Sequence, residues 1–163
     1  LMGCALSISA QESAHVHGKG KMLISQDKNN WHIQLMLPAV DVLGFEHNPN
    51  TQKQHEIVGE VAEKFRHNIS IVELDGKCLL GDIKNSLQEQ RDINHHEEDV
   101  VRDIDQHGDI EVEYFFACQS SVTKVSLTLF KWIKSLTSIE VQWVIDKGQG
   151  MTLVTRQEPT VQW

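Results

Sequence analysis

Asp92–Asp109, DINHHEEDVVRDIDQHGD, divides this chain into two stretches that read alike. It gathers His95, His96 and His107 among seven carboxylates, with Arg102 its one basic residue, and so holds most of the chain's formal charge of −8. Imidazole beside carboxylate suits divalent transition metals. The plainer reading of such a run is a solvated acidic linker.

Upstream of it, alternating apolar residues mark strands at Lys21–Ser25 and Trp31–Leu37. Thr51 with Gln54 forms a capping box for a helix running to about Asn68, with Ile57, Val58, Val61, Ala62 and Phe65 as its apolar stripe. Strands follow at Ile69–Leu74 and Cys78–Gln88, joined by an Asp75-Gly76 turn. Downstream, strands are expected at Ile110–Cys118, Val125–Leu129, Ile139–Ile145 and Met151–Thr155, with a short helix over Phe130–Leu136. His17-Gly18 and His107-Gly108 each stand just before the first strand of their half. The expected fold is therefore α+β: two ββαββ-like halves related by a pseudo-twofold, with an acidic, histidine-containing insertion between them. In residue numbers, 11–91 is the first half, 92–106 the insertion and 107–163 the second half. Ala39–Asn50 reads as a loop. His32 faces away from the Trp31 side of its strand, His67 faces away from the helical stripe and His55 sits at its edge, so all three read as surface residues.

At 163 residues with 40% hydrophobic content, the chain can bury a core of its own. With 23 acidic and 15 basic residues it makes a poor nucleic-acid binder, because phosphate contacts need clustered Lys and Arg. Acidity favours cationic partners, and nine histidines point the same way. No apolar run is long enough to span a membrane. Leu1–Ala10, LMGCALSISA, reads as the tail of a secretory signal peptide, with cleavage near Ala10. A second reading is a lipoprotein box with Cys4 lipidated, which would give the only membrane contact. Either fate exports the chain and uses up Cys4, leaving Cys78 and Cys118 as a disulfide pair in an oxidising compartment. The other possibility for these two is a pair of buried free thiols.

Two pairs carry the metal expectation. His15 and His17 are at i and i+2 of an extended segment, so they share a side, about 7 Å apart at Cα. His107 and Asp109 have the same spacing at the same place in the second half. Brought together, they offer three nitrogens and an oxygen, a tetrahedral zinc-like set. Glu46-His47 is the reserve, as a further ligand or as support for one. His95 and His96 can collect metal weakly. HExxH, GxSxG, CxxC and a phosphate-binding glycine loop are all absent, so no enzyme is expected.

His15-Val16-His17-Gly18, Leu43-Gly44-Phe45-Glu46-His47-Asn48-Pro49, His107-Gly108-Asp109-Ile110 with Tyr114, Phe116 and Cys118, then Leu129-Phe130 and Val141-Gln142-Trp143, together resemble the ZrgA-like family. These are zinc-regulated periplasmic proteins of Gram-negative bacteria. The likeness runs along nearly the whole chain after the leader. It implies a periplasmic zinc-binding protein that assists high-affinity zinc uptake, with an ABC-type importer or its periplasmic binding protein as partner. Family members often carry a longer, histidine-richer insertion, and the short one here argues against storage of much zinc in it. Two alternatives belong to other classes. A metal-dependent hydrolase would need an open zinc position with a base such as Glu46 beside it. An envelope scaffold would bind no metal at all.

Overall fold

The structure is a computed structural model, and it describes residues 16–87 and 108–163. These residues hold nine strands: β1 (Lys19–Asp27), β2 (Asn30–Pro38), β3 (Val72–Leu74), β4 (Cys78–Asn85), β5 (Asp109–Cys118), β6 (Lys124–Leu127), β7 (Ser138–Ile145), β8 (Gly148–Thr155) and β9 (Thr160–Gln162). The described residues also include the helices α1 (Ala39–Leu43) and α2 (Gln52–Phe65). The class is mixed α+β, with few helices and two sheets: a six-stranded one in the order β4-β5-β2-β1-β7-β8 and a three-stranded one in the order β3-β6-β9.

Alternation places the core. Met22 and Ile24 on β1, Trp31, Ile33, Leu35 and Leu37 on β2, Ile110, Val112, Tyr114 and Phe116 on β5, and Ile139 and Val141 on β7 all point to one face and are buried. They join Val58, Val61, Ala62 and Phe65 of α2 and Val72, Val125, Leu127 and Val161 of the small sheet in one cluster. Each such side chain stabilises the fold by roughly 1.5–3 kcal/mol. Tyr114 locks sheet to helix: its hydroxyl donates to the Phe65 carbonyl at 2.7 Å. The N-terminus of α2 is capped as expected, with Gln54 N–H donating to Thr51 Oγ1 at 3.2 Å and Asn50 N–H donating to Gln54 Oε1 at 3.0 Å.

Cys78 and Cys118 are bonded, S–S 2.07 Å, and face each other across β4 and β5. Among the described residues, no helix is long and apolar enough to cross a membrane.

Several elements differ from the expectation: β9 was not expected, and the strands expected at Cys78–Gln88 and Val125–Leu129 end at Asn85 and Leu127. Ala39–Leu43 is helical rather than loop: Pro38 sits just before its first residue and Gly44 closes it at φ 86, so a proline start and a left-handed glycine stop bound a single turn. Ile69–Leu74 divides into a 3-10 turn at Asn68–Ser70 and the short β3. Phe130–Leu136 supplies only the end of another 3-10 turn, Thr128–Lys131. Nor do the halves occupy equivalent places. β2 pairs with β1, yet its counterpart β6 lies in the small sheet with β3 and β9, and β2 itself is inserted between β1 and β5. Alternation fixes a strand's buried face but not its neighbour.

The topology does bring the two His-Gly positions to one place. β1 and β5 are both antiparallel to β2, so both begin at the end where β2 finishes, with Pro38 opposite Asp109. β7 runs parallel to β1 and starts there too, with Lys19 opposite Ser138. This end of the sheet forms a rim capped by α1.

A candidate zinc site at the rim of the large sheet

Gly18 and Gly108 stand immediately before β1 and β5, one on either side of β2. Strands two apart in a sheet lie roughly 10 Å from each other, so side chains flanking these glycines can reach a common point. Both glycines are left-handed, φ 78 and φ 65, a conformation that carries a Cβ penalty for other residues. Gly18 lies in a turn just before β1, and both glycines are tied down. Gly18 N–H donates to Asp41 Oδ2 at 2.6 Å. Its carbonyl accepts from Thr137 N–H at 2.8 Å, Thr137 Oγ1 at 2.8 Å and Ser138 N–H at 3.1 Å. The Gly108 carbonyl accepts from Ala39 N–H at 2.5 Å.

The loop after α1 delivers Glu46 between them. A Cβ on Gly108 would stand 3.8 Å from Glu46 Cβ and Cγ and 3.9 Å from Cδ. Across the gap, His17 Nδ1 and Glu46 Oε1 are 3.6 Å apart, with both side chains at least half exposed. Donors held at zinc-ligand distances on a tetrahedron lie about 3.3–3.6 Å from each other. The separation of this pair is that of one edge of such a polyhedron.

His47 is exposed. Its Nδ1–H donates to the Asn48 carbonyl at 2.8 Å and its ring tilts against Phe45. That bond places the proton on Nδ1 and leaves the Nε2 lone pair for a ligand. Asp109 opens β5 opposite Pro38. His15, His107, His95, His96 and Cys4 lie outside the described residues, as do residues 1–10 and 92–106. Within the described set, no three His, Cys, Asp or Glu side chains gather closely enough to hold a metal. In the sequence, Val16 adjoins His15 and Gly108 adjoins His107.

Two contacts were not legible in the sequence. Asp41, read as an ordinary loop residue, anchors Gly18. His32, read as a surface residue, is half-buried: its Nε2–H donates to Glu113 Oε2 at 2.6 Å and its ring stacks on Phe115 at 4.3 Å. The first joins α1 to the turn before β1 and the second crosses from β2 to β5, so neither is encoded locally. His55 is exposed, as is His67, whose Nε2 meets Glu63 Oε1 at 3.1 Å.

A family model described as "ZrgA family zinc uptake protein" matches residues 14–163, opening one residue before His15 and running to Trp163. No curated protein matches the chain. The rim of β1, β2 and β5 thus sits inside a match that spans nearly the whole sequence, and the chain belongs to the ZrgA family of zinc uptake proteins.

Proposed function

We propose that this protein binds zinc in the periplasm and hands it to an ABC-type importer or to that importer's periplasmic binding protein. The observation that carries the reading is the His17–Glu46 pair, 3.6 Å apart beside Gly108, in a chain whose family is one of zinc uptake. His15, His107 and Asp109 complete the ligand set, with His47 in reserve. The Cys78–Cys118 disulfide supports export, since such bonds persist in oxidising compartments. A site at an open rim, half exposed, suits loading and release better than a buried structural zinc would. Imidazole must be neutral to ligate, so acidification releases the metal.

The test is zinc binding by the mature protein. At zinc a hundredfold above Kd, binding should stabilise the fold by about 2.7 kcal/mol, a rise in Tm of roughly 5–10 °C for a chain of this size. His17→Ala, Glu46→Ala and His107→Ala should each lose most of that gain while keeping the metal-free Tm. Parent-like zinc binding in all three would overturn the site. For delivery, zinc-loaded protein should pass its metal to the importer's binding protein in the presence of a chelator trap. Transfer no faster than the chelator's own capture would remove the importer from the proposal.

A further inference from the structure

A sheet edge presents unpaired N–H and C=O groups, and folded proteins guard it with bulges, charges, proline or shortness. The two sheets have four edges, β4, β8, β3 and β9. Three are guarded. β4 is broken by a register shift between Leu80 and Ile83 and carries Asp82 and Lys84. β3 and β9 are three residues each. β8, Gly148–Thr155, has none of these devices: GQGMTLVT holds eight residues with no charge and no proline. It pairs with β7 in unbroken register, and among the described residues nothing pairs with its other side.

The face beside this edge is apolar too. Met151 is 65% exposed, Leu153 62%, Val144 59% and Leu23 38%. The four lie on the outer face of adjacent strands, Val144 on β7 and Leu23 on β1.

We infer that β8 is a pairing edge for a second copy of this chain, joined antiparallel about a twofold so that the large sheets become one. The strand's own sequence suits this occupant. A strand that opposes itself antiparallel sets its own residues against each other, and like charges directly opposite are destabilising. A strand free of charge is the one that tolerates this. With the axis at Thr152, Met151 faces the partner's Leu153 and Leu153 faces the partner's Met151, an apolar cross-strand pair on each side of the axis. A stable interface buries about 1,600 Å² in total, and one strand edge with four apolar side chains lies at the small end. The dimer is therefore weak and concentration-dependent. The twofold sends the two rims to opposite ends of the joined sheet, so both stay open to metal.

Sedimentation equilibrium over a wide concentration range tests this. The parent should fit a monomer–dimer equilibrium. Met151→Lys/Leu153→Lys and Met151→Glu/Leu153→Glu each place like charges opposite one another and should weaken self-association about tenfold or more. Mixed one to one, the two variants should associate again. The substituted side chains are exposed, and unchanged melting of each variant confirms that the fold is intact. A parent that stays monomeric at every concentration overturns the inference. So do variants that associate like the parent, or a mixture that fails to restore association, which would point to general stickiness or to a different protein at this edge.

Discussion

Gly18, Gly44 and Gly108 share a left-handed backbone, yet they differ in what surrounds them. At Gly44 a Cβ would meet nothing within 4 Å, whereas at Gly18 it would stand 3.2 Å from the Ser135 carbonyl oxygen. Gly44→Ala should therefore cost about 1–2 kcal/mol from backbone conformation alone. Gly18→Ala should cost more, since Ser135 or the turn must also shift. Chemical denaturation of the two variants measures the difference, and equal losses would mean the rim gives way freely. Because Gly18 aims the turn that carries His17, its variant should also weaken zinc binding, while the Gly44 variant should do so only if Glu46 moves with it. The glycines were visible in the sequence as His-Gly and Leu-Gly-Phe motifs. Their partners Asp41 and Thr137 were not, because they come from distant parts of the chain.

Elements are held to one another by a few directed contacts over a general apolar core. The clearest is Tyr114 on β5 to the end of α2. Burial pushes its phenol well above the usual tyrosine range, so the neutral, donating form is favoured in the fold. The folded pKa exceeds the unfolded value of about 10. The stability this gives is fully present below pH about 10 and is lost as pH rises through the folded value. Tyr114→Phe should cost about 1–3 kcal/mol at neutral pH, by leaving the Phe65 carbonyl unpaired. It should also flatten the fall in stability above pH about 10, as urea unfolding at a series of alkaline pH values would show. Helix α2 and the long strands were legible because they are long and strongly periodic. The short pieces were misread for the opposite reason. Ala39–Leu43 is a single turn, and Leu129, the last residue of an apparent alternation, belongs instead to a 3-10 turn.

For the whole molecule, strand order is what the sequence did not contain. Alternation showed where β1 and β5 begin, and the matching His-Gly motifs suggested that a symmetry axis would unite them. Their meeting needs no axis: β2 lies between them, antiparallel to both. The start of β1 and the loop that follows β2 and α1 share one end of the sheet for this reason, and His17 and Glu46 stand 3.6 Å apart there, whatever the history of the halves. The same sheet is fastened at its far end by the Cys78–Cys118 bond, which closes a separation of 40 residues. Cys78→Ser/Cys118→Ser should lower stability by about 3–4 kcal/mol, measured by thermal or denaturant unfolding under oxidising conditions. Zinc binding by the folded fraction should survive, since the bond and the rim lie at opposite ends of β5. Near the rim, the chain leaves β4 at Asn85 and re-enters the sheet at Asp109 on β5, its antiparallel neighbour. The acidic tract is thus spliced into a hairpin connection. Closing a longer flexible connection costs only about 0.6 kcal/mol per doubling of its length. Insertions and deletions there can therefore change the number of histidines in the connection while the sheet that presents His17 and Glu46 stays as it is.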